Sequence, residues 1–330
     1  MFSDILGQEK AVSYLQKLVR EDRVPGAMLF CGPEGIGKRK AALEFAKALN
    51  CEDYFSRQNG EACGACANCL AIEKGTHPDI TIVDFVSQAH LEMKQDGDEE
   101  EFEKIVAKQQ NISIESVRDA ATKAQQKAVG GGWKVIIIDH AQTLQYGKGA
   151  AGNALLKFIE EPPAKTVWIL ITSKRALMLG TILSRCQLLP FAPLSTAQVE
   201  QLLKVHAAEL ENPSRAAAYS GGSVTGALQA AEALALLEGS EFGSAQAPMQ
   251  VAAGLSRTAA TARKEAQAVL DVLIRALHTT WMQADETHRI SVQNALHKFD
   301  EYKRSIRQNV SPALVLETAL MSLDGLDIKI

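Results

Sequence analysis

The sequence has no long apolar run, no excess of basic residues and few cysteines. Its apolar segments, such as VIII at 135–138 and VWILI at 167–171, are as long as strands and far shorter than the roughly 20 residues that span a bilayer. With a net charge of −4, no chain-wide basic surface favours autonomous nucleic-acid binding. The opening MFSDILGQEK carries Asp4 and lacks the apolar stretch of a signal peptide. We therefore expect a cytoplasmic protein without a membrane partner, which contacts DNA only locally or through other proteins.

Six cysteines in 330 residues are too few and too clustered for a disulfide framework. Four of them are spaced for a metal ion, namely Cys51, Cys63, Cys66 and Cys69. Overlapping CxxC pairs let neighbouring thiolates converge on one ion, and the fourth cysteine completes a tetrahedral site. The spacing predicts a structural Zn²⁺ with no open coordination position, while an iron–sulfur cluster and a redox pair are the alternatives.

A nearly complete phosphate-binding loop lies in CGPEGIGKRKAAL at 31–43. Its residues are Gly32, Gly35, Gly37 and Lys38. The preceding GAMLF is typical of a buried strand and the following residues have helical spacing, which is the context that the GxxxxGK motif requires. Backbone N–H groups and the lysine can then hold phosphates. However, Arg39 replaces the hydroxyl residue that ligates Mg²⁺, and its charge would repel a cation. We predict a phosphate-cradling fold with lost or weakened chemistry; the structural alternative is a turn before a surface helix.

Three later segments supply further candidate residues. KVIIIDHAQ places Asp139 at a strand end, where P-loop proteins hold Mg²⁺, and puts His140 where many ATPases have glutamate. ITSK places Thr172 where a polar sensor lies beside the γ-phosphate. LSRCQLLPF places Arg185 before a strand, either as a surface cation or as a finger reaching a neighbouring subunit's ATP. Asp139 can equally be a strand-end turn residue.

Apolar periodicity predicts two kinds of architecture along the chain. Residues 1–190 alternate helices with buried strands, so we expect an α/β domain with a largely parallel sheet and an inserted zinc module at 51–69. No strand is predicted beyond Ser195, which forms a capping box with Gln198. The expected helical parts are a small unit at 191–238 and a bundle at 245–330, joined by a linker. An acidic run at 94–104 is interpreted as a solvated segment.

In this order the motifs resemble the bacterial clamp-loader branch of the AAA+ family. The segments that carry the resemblance are DILGQEKAVSYL, CGPEGIGK, the cysteine knuckle, GTHPDI, KVIIIDHAQ, GNALLKFIEEPP, TSK, ILSRC and GGSVTGAL. NVSPALVLETALMSL near the C-terminus is similar to the family's collar domain. The resemblance covers most of the chain. It implies a P-loop AAA+ domain, a small helical lid at 191–238 and an all-α collar at 245–330.

The resemblance also implies partners and a site shared between subunits. Members of the family form a pentamer held by the collars, so the partners would be gamma/tau and delta subunits, with the sliding clamp and primed DNA reached through the assembled complex. ATP lies between adjacent AAA+ domains. The family's SRC motif, here Ser184, Arg185 and Cys186, then implies an arginine finger that acts in trans on a neighbour's ATP.

Three departures from the ATPase pattern imply that this chain does not hydrolyse ATP. Arg39 replaces the magnesium hydroxyl, His140 replaces the acid that orients water, and Thr225 and Gly226 lie where ATPase members carry a sensor arginine. We expect weak or magnesium-independent nucleotide binding at best. DILGQ at 4–8 is the segment that in relatives lies near the base, and the alternative is an ordinary lead-in to a helix. The alternatives are a gamma/tau-like ATPase with an unusual loop, a small-molecule P-loop kinase and a free-standing zinc-dependent DNA-binding protein.

Overall fold

A five-stranded parallel sheet is the centre of the first half of the computed structural model. The strands are β1 (Ala27–Cys31), β2 (Ile80–Val83), β3 (Lys134–Ile138), β4 (Thr166–Thr172) and β5 (Gln187–Pro190). They lie in the order β2-β3-β4-β1-β5, and all neighbouring pairs are parallel. Every residue of β3 and β4 is buried, as expected for strands covered on both faces. The predicted α/β fold with a parallel sheet is confirmed.

The structure describes residues 1–93, 98–238, 247–308, 310–326 and 328. These form two compact units, Met1–Leu194 and Ser195–Ile330. Among the helices in these ranges, none has both the length and the apolar character needed to cross a bilayer. The finer division into 1–190, 191–238 and 245–330 stays a prediction, and most of the expected linker lies outside the described residues.

Nine α-helices are described in the first unit. They are α1 (Glu9–Glu21), α2 (Lys38–Asn50), α3 (Tyr54–Gln58), α4 (Ala67–Glu73), α5 (Phe85–Glu92), α6 (Glu99–Lys108), α7 (Ile114–Gln125), α8 (Ala150–Glu160) and α9 (Gly180–Leu183). The largest buried side chain is Trp168 of β4, which packs with Val117 of α7 and Leu155 of α8. Of the acidic run, residues 94–97 lie outside the described ranges, and the rest begins α6, where its carboxylates are exposed.

The described residues of the second unit form helices and connecting loops, with no strand. Its helices are α10 (Thr196–His206), α11 (Pro213–Ala218), α12 (Val224–Leu237), α13 (Ala247–Ala253), α14 (Ala259–Gln283), α15 (Glu286–Arg307) and α16 (Pro312–Met321). The predicted capping box at Ser195 and Gln198 is confirmed at the start of α10. One apolar cluster is shared by the helices from α12 through α16, and its residues Leu273, Phe299 and Leu316 are fully buried.

A buried ion pair joins the segment before β2 to the start of β3. Lys134 Nζ lies 2.9 Å from Asp79 Oδ1, and Asp79 Oδ2 accepts a hydrogen bond from Val129 N at 2.9 Å. We predict that Asp79→Ala lowers the free energy of unfolding by about 3 kcal/mol, because it leaves the Lys134 ammonium buried without a partner. Urea unfolding measures this effect. The control is Asp119→Ala, which removes an exposed pair with Lys123 and should cost less than about 1 kcal/mol; equal losses would contradict the prediction.

Candidate functional site

The phosphate-binding loop connects β1 to α2 at the carboxyl edge of the sheet. Gly35 and Gly37 have left-handed backbone angles, with φ of 71° and 94°, which glycine adopts at no steric cost. Gly32 begins the loop, and its N–H donates to the carbonyl of Thr172 at the end of β4. The helix α2 then begins at Lys38. The structure therefore has the strand–loop–helix arrangement that the motif predicts.

Lys38 turns back into its own loop. Its side chain is buried, and Nζ donates to the carbonyl of Gly32 at 2.7 Å and to that of Pro33. Burial lowers the pKa of this ammonium, while the carboxylates of Asp139 and Glu34 oppose that change. A phosphate in the loop would have to replace these carbonyl acceptors.

Arg39 pairs with two carboxylates at the ends of adjacent strands. Its Nη1 lies 2.6 Å from Asp84 Oδ2 and 3.5 Å from Asp139 Oδ2. Asp84 follows β2 and Asp139 follows β3, and these neighbouring parallel strands end at the same edge of the sheet. The guanidinium therefore supplies the positive charge between two carboxylates that lie beside the phosphate-binding loop.

Asp84 is a site residue that the sequence analysis missed. Its buried carboxylate also accepts the Ser87 N–H at 2.7 Å, which caps α5. Burial raises the pKa of Asp84, but the Ser87 amide and the Arg39 guanidinium together hold it below its usual value. The signal was present in the sequence: DITIVD ends in an aspartate in the same way as KVIIID, and parallel strands bring such ends together.

His140 and Asp139 form a tight turn after β3. The His140 N–H donates to Asp139 Oδ1 at 2.8 Å, and His140 has a left-handed backbone with φ of 51°. The imidazole stacks on the ring of Phe85, with 4.8 Å between centroids and 8° between planes. His140 therefore occupies the position after Asp139 with a side chain held by packing.

Thr172 lies at the end of β4 with its hydroxyl fully engaged. Oγ1 donates to Gln142 Oε1 at 2.8 Å and accepts the Lys174 N–H at 3.0 Å. The side chain is buried. At the carboxyl edge of the sheet the structure thus brings together several of the predicted site residues, namely the loop glycines, Lys38, Asp139 and Thr172.

Arg185 lies at the amino edge of the sheet, opposite the carboxyl edge that carries the phosphate-binding loop. It comes two residues before β5, whose first residue Gln187 is opposite Met28 near the start of β1. Its Nε pairs with Glu160 at the end of α8, and Nη1 donates to the Thr181 carbonyl at 3.0 Å. The side chain remains 37% exposed. Because its own phosphate-binding loop is at the carboxyl edge, this guanidinium is placed away from that loop.

The two neighbours of Arg185 differ in environment. Ser184 is exposed, and its Oγ donates to the Thr181 carbonyl at 3.1 Å and accepts from Arg185 Nη1 at 3.2 Å. Cys186 packs against the apolar cluster on one face of the sheet, and burial raises the pKa of its thiol to about 12. Ser184 therefore contributes to the orientation of the guanidinium, whereas Cys186 contributes packing.

The four predicted metal ligands converge in a module that begins at Cys51, directly after α2, and continues through α3 to α4. The sulfurs of Cys51, Cys63, Cys66 and Cys69 all lie within 4.8 Å of one another, and those of Cys63 and Cys69 are 4.0 Å apart. Four sulfurs at the usual Zn–S bond length in a tetrahedron lie about 3.8 Å apart. The arrangement fits one tetrahedral zinc ion with four thiolate ligands.

Backbone amides support the thiolate form in this module. The N–H groups of Ala65 and Cys66 donate to Cys63 Sγ at 3.4 and 3.3 Å, and they lower the pKa of Cys63 to about 7. Burial raises the pKa of the Cys51 and Cys69 thiols, so binding of a metal ion there would release protons.

Gly60 allows the module to pack against α1. Its φ is 75°, and a Cβ at this position would lie 2.5 Å from the carbonyl oxygen of Gln16. A larger residue would therefore be strained and would also displace the loop from α1.

Comparisons with known proteins find subunits of DNA polymerase III. Residues 7–195 match the family model described as DNA polymerase III, delta subunit. The delta' subunit of Bacillus subtilis is 35% identical over 201 residues, covering 59% of this chain and 51% of that protein. The delta' subunit of Pseudomonas aeruginosa is 35% identical over 200 residues, covering 60% and 53%. The tau subunit of B. subtilis is 34% identical over 209 residues, covering 63% and 32%. The chain thus spans about half the length of the delta' relatives.

A solved structure supports the fold over a longer range. A gamma subunit-related protein of DNA polymerase III from Thermotoga maritima superposes with a TM-score of 0.52 at 15% identity, covering 94% of this chain and 97% of that one. At this identity the likeness concerns the fold alone. The family model, by contrast, matches more than half of the sequence, and the chain therefore belongs to the DNA polymerase III delta subunit family.

Proposed function

We propose that this chain is a non-hydrolytic, delta'-type subunit of the bacterial replicative clamp loader, which supports ATP-dependent loading of the sliding clamp onto primed DNA. Its similarity to two delta' subunits supports the clamp-loader role. The proposed partners are gamma/tau and delta subunits in a pentamer. The sliding clamp and primed DNA are contacted through the assembled complex.

The contact between Arg39 and the carboxylates of Asp84 and Asp139 carries the non-hydrolytic assignment. Phosphoryl transfer by a P-loop protein needs Mg²⁺ to bridge the β- and γ-phosphates. Here the residue that should ligate the ion is a cation, and it pairs with the acidic groups nearby. His140, stacked on Phe85, takes the place of the acid that orients water.

The start of α12 supports the same assignment. The N–H of Gly226 donates to Ser223 Oγ at 2.9 Å, and a Cβ at Gly226 would lie 2.2 Å from the carbonyl oxygen of Ser220. Position 226 therefore has no room for a side chain. The neighbouring Thr225 is short and has no guanidinium, so it cannot replace the sensor arginine of ATPase members.

We infer that Arg185 acts on the ATP of a neighbouring subunit. It is exposed, it lies at the edge of the sheet opposite its own loop, and Glu160 and Ser184 orient its guanidinium. In this proposal the cysteine module at 51–69 holds a structural zinc ion. Residues 191–238 serve as the lid, and residues 245–330 serve as the collar that binds the other subunits.

ATP hydrolysis by the purified chain, alone and after addition of gamma/tau and delta, tests the proposal. We expect no turnover by the chain alone. We expect the complex to hydrolyse ATP, and its rate should rise when the chain, the clamp and primed DNA are present. Magnesium-dependent turnover by the isolated chain that Lys38→Ala abolishes would contradict the proposal and favour a gamma/tau-like ATPase. The lysine variant distinguishes turnover at this loop from a contaminating ATPase.

A further inference from the structure

The guanidinium of Arg39 is anchored through one nitrogen and has two others available. Nη1 makes both carboxylate contacts, to Asp84 and to Asp139. Within the described ranges, neither Nε nor Nη2 has a hydrogen-bond partner. The side chain is 44% exposed, whereas that of Asp84 is 8% exposed. A guanidinium held in this way has N–H donors on two nitrogens available for a ligand.

This arrangement parallels the way that a protein holds a catalytic cation. In hydrolytic P-loop proteins an aspartate at a strand end fixes Mg²⁺, and the free face of the ion contacts the phosphates. Here two strand-end carboxylates fix a guanidinium, whose remaining N–H groups match phosphate oxygens. Unlike Mg²⁺, this cation is covalently part of the chain, so it needs no divalent ion in solution.

We propose that the loop binds a nucleoside triphosphate without a divalent cation, with the Arg39 guanidinium in the role that Mg²⁺ has in relatives that hydrolyse ATP. The inference rests on the proposed non-hydrolytic function and specifies the ligand of its nucleotide site. The phosphates accept hydrogen bonds from the loop N–H groups and from Lys38 Nζ, which no longer donates to the carbonyls of Gly32 and Pro33. They also accept hydrogen bonds from Nε and Nη2 of Arg39, while Nη1 stays paired with Asp84 and Asp139.

The ion pairs of Arg39 indicate that Mg²⁺ does not improve binding. Lys38 and Arg39 carry two positive charges, and Asp84, Asp139 and the loop residue Glu34 carry three negative ones. The carboxylates of Asp84 and Asp139 already share a cation at contact distance, so an added Mg²⁺ would have to displace the guanidinium or lie against it. Mg²⁺ also neutralises part of the negative charge of the triphosphate, which weakens its attraction to the two basic side chains.

The decisive measurement is ATP binding to the full chain by calorimetry, in EDTA and in excess Mg²⁺. We expect the wild-type chain to bind ATP in EDTA and to bind it no more tightly in Mg²⁺. Arg39→Ser should weaken binding in EDTA about tenfold or more, because it removes a charge-assisted contact with phosphate. It should also make binding depend on Mg²⁺, since the serine hydroxyl, Asp84 and Asp139 then form a site for the ion.

Matched variants make the result specific. Arg23→Ser removes an exposed arginine before β1 and should leave both affinities unchanged. Adding Asp84→Asn to Arg39→Ser should remove the new magnesium dependence. Tighter wild-type binding in Mg²⁺ than in EDTA would overturn the inference, as would full binding in EDTA by Arg39→Ser.

The experiment separates this inference from the proposed function. No ATP binding by the wild-type chain in EDTA would overturn the inference and leave a non-hydrolytic subunit standing. Turnover of the bound ATP by the isolated chain would instead overturn the proposed function.

Discussion

Arg185→Ala is expected to slow ATP hydrolysis at the neighbouring subunit's site by about three orders of magnitude, the scale at which arginine fingers stabilise charge on a transferring phosphoryl group. Clamp loading on primed DNA should fall with it. The chain itself should fold and assemble normally, because the Arg185 side chain is 37% exposed and its pair with Glu160 is on the surface, where such pairs are worth roughly 0–1 kcal/mol. Single-turnover hydrolysis by the reconstituted complex measures the effect.

Three further variants distinguish a finger from a surface cation. Arg185→Lys keeps the charge but loses the planar fork, so it should remain strongly impaired. Glu160→Gln removes the ion pair that orients Arg185, and we expect a smaller loss of turnover with unchanged thermal stability. Arg118→Ala removes an exposed arginine of α7 and should change nothing. Wild-type rates in a complex that contains Arg185→Ala would refute the role in trans.

The parallel sheet was predictable because its strands carry local signals. β3 and β4 are continuous apolar runs bounded by polar residues, and each is buried along its whole length. The position of β4 between β3 and β1 has no such signal, since it depends on pairing between residues far apart in the chain. That order is what brings the end of β4, with Thr172, beside the phosphate-binding loop.

The side-chain partners were less predictable than the site residues themselves. The sequence indicates that Arg39 cannot ligate Mg²⁺, but its contact with Asp84 depends on β2 and β3 being neighbours. Similarly, the pair between Arg185 and Glu160 joins residues 25 positions apart. The cysteine cluster was predictable because three of its four ligands lie within one short segment, where spacing alone limits the distance between sulfurs.

The second large effect concerns the cysteine module. It has little apolar core of its own, and the side chains of Tyr54 and Phe55 are 67% and 76% exposed. Such a segment has few buried contacts to offset its conformational entropy, so we propose that bonds to a metal ion stabilise it. We therefore expect one zinc ion per chain, held by the four sulfurs.

Cys63→Ala should abolish zinc binding and lower the free energy of unfolding of the first unit by about 3 kcal/mol or more, since metal binding and folding of such a module are coupled. For a unit of this size, that loss corresponds to a fall in Tm of roughly 6–12 °C. Metal analysis of the purified chain and calorimetric melting measure the two effects. Cys31→Ala is the matched control, because this cysteine lies in β1 outside the cluster, and it should retain one zinc ion. A zinc-free wild-type chain that melts at the same temperature as the zinc-loaded chain would show that the module is stable without metal, and the four sulfurs would then need another explanation.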